Sequence, residues 1–177
     1  MSRDIHRLAV GTFAPMLRNL STWIDKAAAG RADPDALTAA RLAPDMYDLA
    51  QQVELACRHA ADTVARLTGR PPSPPTEAQD LASLARLQAL IARTVSAVEA
   101  APASGFAGAE DRDIRLPLNP QMEFRFSGER LLRDWGLPHF YFHLVTAYDI
   151  LRHEGAAIGK QDYLAQVADA ITPLGAP

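Results

Sequence analysis

Large apolar residues recur along most of this chain at intervals of three and four, the repeat of one face of an α-helix. Over Ile5–Ala28 that face is Ile5, Leu8, Phe13, Met16, Leu17, Leu20, Trp23 and Ile24, while Arg7, Arg18 and Asp25 fall elsewhere. Gly30 and Asp33-Pro34-Asp35 end the segment, with Asp33 suited to cap a short turn that has Pro34 at its first position. A second helix is predicted over Asp45–Leu67, where Met46, Leu49, Val53, Cys57, Ala60, Val64 and Leu67 make a bundle seam. Gly69 stands where a C-terminal cap belongs. Four prolines follow in Arg70-Pro-Pro-Ser-Pro-Pro75; they cannot continue a helix and predict a stiff, extended connector between bundle ends. A third helix is expected from the capping-box pattern Thr76-x-x-Gln79 to Pro102, with Leu81, Leu84, Leu87, Ile91, Val95 and Val98 as its stripe.

Residues 103–112 read as loop, and the period then changes. Ile114, Leu116 and Leu118 alternate with Asp113, Arg115 and Pro117; after Asn119-Pro120-Gln121, Met122, Phe124 and Phe126 alternate with Glu123 and Arg125. Period two on both sides of a turn predicts a β-hairpin. Two strands alone are marginal, so its apolar face is expected on the bundle, over its open end. Ser127 is suited to cap a short helix over Gly128–Trp135, interrupted at Gly136-Leu137-Pro138. The last long helix is predicted over Pro138–Glu154, stopped by Gly155. It is apolar nearly all round, which predicts a central position. The tail adds a short amphipathic turn through Tyr163, Leu164, Val167 and Ile171. There is no internal repeat. The expectation is an all-α fold, one four-helix-bundle domain over residues 1–177.

Composition narrows the function. The net charge is -3, from 18 basic and 21 acidic residues, so no surplus of cations exists to neutralise a nucleic-acid backbone. The stripes face mixed rather than basic surfaces, and no apolar run approaches the ~20 residues that cross a bilayer, which argues against a membrane partner. Asp4, His6 and Arg7 interrupt any signal-peptide core. Cys57 is the single cysteine, so an internal disulfide and a thiolate cluster are both excluded. A cytoplasmic location is the expectation by elimination.

The chemistry-bearing feature is His139 and His143 on the last helix. Four residues apart, they project from one face, at the spacing with which two imidazoles bind one metal ion. Thr146, Ile150 and His153 continue the stripe, so three of the chain's five histidines share it. A metal site needs a further protein ligand. Glu54 and His59 on the second helix are the candidates by type, with Gln52 and Cys57 weaker. The same residues also have structural explanations. His153 in the last turn gains from the helix dipole, Cys57 suits a core position, and His59 suits a helix surface. Tyr141 and Tyr148 suit packing with a polar tip. No phosphate-binding glycine loop and no G-x-S-x-G elbow occurs.

Phe140 to Gly155, Ala40-Arg-Leu-Ala-Pro-Asp-Met46, Glu110-Asp-Arg112 with the hairpin after it, and Gly159-Lys-Gln-Asp-Tyr-Leu164 together resemble an uncharacterised bacterial family. That family lies within the DinB/YfiT-like superfamily. The resemblance implies a four-helix bundle in up-down-down-up order, with the proline-rich connector as its long crossover. It implies a three-histidine metal site, two from the His-x-x-x-His of the fourth helix and the third from the second helix. His139, His143, Leu151, Arg152 and Gly155 match the fourth-helix pattern. The second-helix place, counted from Met46, falls at or near Glu54, with His59 the alternative.

Three functional readings follow. In the first, resting on the resemblance, the protein is a divalent-metal enzyme of the thiol-dependent transferase kind. His139, His143 and Glu54 or His59 would hold Zn²⁺ or Ni²⁺, which suit imidazole and carboxylate ligands. In the second, a non-catalytic bundle binds a small apolar ligand among its aromatic residues, with Phe140, Thr146, Tyr148 and His153 as the pocket. In the third, one helix pair forms a homodimer interface.

Overall fold

The computed structural model describes residues 2–72, 74 and 81–172, with side chains from residue 4 onward. Four long helices form the bundle: α1 (Ser2–Ala28), α2 (Leu49–Leu67), α3 (Leu84–Glu99) and α5 (Leu137–His153). A hairpin of β1 (Ile114–Asn119) and β2 (Met122–Phe126) lies between α3 and the short α4 (Gly128–Arg130). A last short helix, α6 (Lys160–Tyr163), lies in the tail.

Cross-helix contacts fix the helix directions. Gln88 of α3 bonds Ser21 and Asp25 of α1, whereas Glu99 pairs with Arg18, so α1 and α3 are antiparallel. Between α2 and α3, Cys57 neighbours Thr94 and Val64 neighbours Val98, so those two run parallel. Phe13 packs on Phe140 and Trp23 on Tyr148, so α1 and α5 run parallel. The order is therefore up-down-down-up. The parallel α2–α3 pair requires the chain to cross along the bundle between Leu67 and Leu84. Its core is built from the predicted stripes: Phe13, Leu17, Leu20, Trp23, Val53, Ala60, Leu67, Leu87, Ile91, Phe140 and Leu144 are all buried.

Several boundaries differ from expectation. Helix α2 starts at Leu49 rather than Asp45, because Asp48 accepts from the Gln51 backbone N–H and Gln51 Oε1 accepts from that of Asp48. This capping box satisfies two donors that would otherwise be orphaned. Helix α3 starts at Leu84, with the Ser83 hydroxyl accepting from the Arg86 N–H; the Thr76-x-x-Gln79 pattern lies outside the described residues. Gly69 and Gly155 end α2 and α5 as expected. Each has positive φ, and the flanking amides bond back in the Schellman pattern.

The predicted break at Gly136-Leu137-Pro138 is absent. The segment from α4 to α5 is continuous, because Leu131–Gly136 forms a π-helical turn in which the Leu137 N–H bonds Leu132 O. A proline in a helix lacks a donor and crowds the carbonyl one turn back. The wider π turn just before Pro138 accommodates both effects. Helix α5 is also not fully enclosed: Phe142 and Val145 are exposed on its outer face. The hairpin pairs as predicted, Ile114 with Phe126 and Leu116 with Phe124, but the register shifts between Pro117 and Asn119. Only its base is packed. Ile114 and Leu116 are buried, while Leu118 and Met122 project into solvent. It lies beside the C-terminal half of α2 and the π turn, not over a bundle end.

In the tail, Tyr163 stacks on Trp23, whose indole N–H donates to Asp162 O; Leu164, Val167 and Ile171 are exposed. Among the described residues, no helix is long and apolar enough to cross a membrane.

Candidate metal centre

Helix α2 presents three faces with different tasks. Leu49, Val53, Cys57, Ala60, Val64 and Leu67 enter the core. Gln52, His59 and Thr63 continue a second stripe at helical spacing that meets α5 and the π turn. Glu54, Arg58 and Asp62 border α3. Five residues separate Glu54 from His59, about 140° around the helix at roughly 100° per residue, so the two cannot serve one place.

His59 is the α2 residue that meets the α5 histidines. Its ring stacks on that of His139, with centroids 4.6 Å apart, and on that of His143, with centroids 5.5 Å apart. Glu54 lies in the α2–α3 groove, its carboxylate held by the Arg58 guanidinium at 2.6 Å beside Cys57 and Thr94. The structure thus brings His59, the alternative third residue, to His139 and His143 and places Glu54 in the α2–α3 groove.

Two of the three imidazoles are fixed from behind. His143 is buried, and its Nδ1 lies 2.8 Å from Gln52 Oε1. The Gln52 amide is itself oriented by donating to Tyr47 O at 3.3 Å, so Oε1 faces the ring and Nδ1 carries the proton. His139 donates from Nδ1 to Trp135 O at 2.9 Å, the carbonyl that ends the π turn. Both rings therefore keep Nε2 as the lone-pair nitrogen, the second-shell arrangement in which imidazole is presented to a metal. Burial pushes the His143 pKa down to about 4 and that of His59 to about 3, with neighbouring histidines adding to the effect. Both are neutral at physiological pH, as ligation requires.

The helix packing that brings the rings together depends on a missing side chain. A Cβ on Gly136 would lie 2.5 Å from Thr63 Oγ1 and 2.8 Å from its Cγ2. Glycine there lets the π turn approach α2 closely enough for His139 to reach His59.

The rings lie face to face, with His59 only 7° from parallel to His143 and 25° from His139. Among the described residues, no three His, Cys, Asp or Glu side chains converge on a point as a bound ion would demand. The donor chemistry thus fits an imidazole-bound metal, while the rings stand stacked rather than edge-on.

The domain family described as Domain of unknown function (DUF1993) matches residues 5–164. The chain belongs to the DUF1993 family. A solved structure of a DinB family member protein from Shewanella denitrificans is 35% identical to this DUF1993 chain; the match covers 99% of this chain and 97% of that one, with a TM-score of 0.80. No curated protein matches it.

The other residues singled out from the DUF1993 sequence do not form one pocket. Phe140 is fully buried edge-on against Phe13, and the Thr146 hydroxyl donates to Phe142 O. Tyr148 packs on Trp23 and Tyr163, and His153 is exposed at the end of α5. Phe140 and His153 are about 20 Å apart along the helix. Cys57 is a core residue, its thiol pushed up to about 12 by burial. Sequence reasoning did not single out Trp135, Thr63 or Arg66, and it ranked Gln52 as a weak ligand rather than a support. The available signal was the spacing Gln52, His59, Thr63, Arg66, a polar stripe beside an apolar one.

Proposed function

We propose that this protein is a divalent-metal enzyme of the DinB kind in which His59, His139 and His143 hold the ion. The observation that carries the reading is the pair of Nδ1 hydrogen bonds, from His143 to Gln52 and from His139 to Trp135 O, which leave Nε2 as the lone-pair nitrogen of both rings. The depressed pKa values of His59 and His143 support it, because neutral imidazole is the ligating form. Bringing the third ring into the set means turning His59 out of its stack. His59 is half-buried and lines an open cavity, the side to which such a turn would take it. An ion held by these imidazoles would supply Lewis-acid chemistry, lowering the pKa of a water or thiol so that it could act as a nucleophile at neutral pH. A thiol-dependent transfer is the reaction class most in keeping with the resemblance.

The chain's own residues have assignable work. Gln52 and the Trp135 carbonyl hold two rings in one tautomer. The side chains of Trp135, Leu116 and Leu131 limit water on one side. Glu54 and Cys57, on the far side of α2, take no part.

The test is metal analysis of untagged protein by mass spectrometry, together with thermal unfolding before and after chelation. One equivalent of Zn²⁺ or Ni²⁺, and a melting temperature that falls on chelation, are expected. Protein that carries no metal and gains no stability from added Zn²⁺ or Ni²⁺ contradicts the reading.

A further inference from the structure

A cavity of about 210 Å³ opens beside the histidines, between α2, β1 and the π turn. Its walls are His59, Asp62, Thr63, Arg66, Leu116, Pro117, Leu131 and Trp135. We propose that this cavity binds a small monocarboxylate with a flat apolar body, the carboxylate on Arg66 and the body against Trp135 and His59. That such a compound is a substrate of the histidine site rests on the metal reading above; the preference for the anion does not.

Three features carry the inference. Arg66 forms no ion pair among the described residues, and its guanidinium makes one long bond, 3.4 Å to Arg115 O. Most of its planar set of donors is thus available at the cavity wall, in the fork geometry that matches a carboxylate. Thr63 lines the cavity, and its hydroxyl is a donor for an acceptor atom placed there. The remaining walls, Leu116, Pro117, Leu131 and the Trp135 ring, are apolar and suit a flat hydrocarbon body.

Charge and size narrow the ligand further. Asp62 is the acidic residue of the lining, and it also borders the α2–α3 cavity. Arg66 offers a single positive charge and Asp62 opposes added negative charge, so a monoanion bound directly by the guanidinium is the most the site holds; a phosphate dianion would need more positive charge. A cavity of ~150 Å³ takes a benzene ring, so the volume here accommodates a ring bearing a carboxylate.

The chain's two tryptophans provide the readout. Trp23 is fully buried against Tyr163, whereas Trp135 lines the cavity. The full chain, stripped of metal and again with added zinc, is titrated with benzoate and with the neutral benzyl alcohol, following tryptophan fluorescence. The expected result is saturable quenching by benzoate in both states, at least tenfold weaker for benzyl alcohol and for Arg66→Gln. Circular dichroism confirms that the variant is folded, and Trp135→Phe should abolish the signal while calorimetry still records binding. Equal binding of acid and alcohol, no benzoate binding in either state, or an Arg66→Gln variant that binds like wild type overturns the inference. Benzoate binding that requires zinc and ignores Arg66→Gln puts the carboxylate on the ion: the inference falls and the metal reading stands. Arg66-dependent binding in a protein that takes up no zinc has the opposite meaning.

Discussion

Gln52 accepts a hydrogen bond from Nδ1 of His143, 2.8 Å away, across the α2–α5 interface. The contact joins two buried side chains and so bears on stability and on the ring's tautomer together. Gln52→Leu removes the acceptor and leaves a buried N–H unpaired, which costs about 1–3 kcal/mol. Zinc affinity should fall 10–100-fold with it, the usual effect of losing a second-shell partner. Gln52→Glu retains the acceptor and should keep most of the affinity. Urea unfolding of the metal-free protein and a competitive zinc titration measure the two effects separately.

Helical periodicity made the bundle legible because the core is continuous and apolar. Phe13, Leu17, Val53, Leu87 and Leu144 sit where their spacing puts them. The π turn was not legible, since Gly136 and Pro138 read as breakers when taken alone. Only the approach of Thr63 shows why glycine is there. Which α2 residue meets the α5 histidines was not legible either: the count from Met46 falls at or near Glu54, whereas the residue stacked on His139 and His143 is His59. Which face of α2 meets α5 is a property of packing, and Glu54 and His59 are both plausible ligands by residue type alone.

Gly136→Ala should destabilise the protein by about 1–3 kcal/mol, the cost of overpacking a closed contact. Its Cβ would fall within 3 Å of two Thr63 atoms. Thr63→Ala removes both of them, so the double variant should recover much of the loss. Denaturation midpoints of the two single variants and the double variant give the coupling.

Stability should depend on pH through the histidine cluster. The folded-state pKa values of His59 and His143, about 3 and about 4, lie below the usual 6.5 because burial disfavours the imidazolium. Between these limits the unfolded chain holds protons that the folded chain refuses, so acid favours unfolding. Stability is greatest above pH 6.5, declines as pH falls towards 4, and levels off near 3. Urea midpoints from pH 7.5 to 4.5 should fall more steeply for wild-type protein than for a His59→Gln/His143→Gln variant.

Cys57 should be unreactive. Its thiol is buried and its pKa is raised to about 12, chiefly by desolvation, so almost no thiolate exists at pH 8. Iodoacetamide should leave the folded protein unmodified and alkylate it stoichiometrically in urea, as read by intact mass.

The central claim is that three imidazoles from two helices hold one ion. Calorimetric titration of chelator-treated, untagged protein with zinc tests it most directly, comparing wild type with His59→Ala, His139→Ala, His143→Ala and Glu54→Ala. The account predicts one site per chain, weakened at least tenfold by each histidine variant and unchanged by Glu54→Ala. No zinc binding by the wild type, or affinity lost with Glu54 and retained without His59, would contradict it.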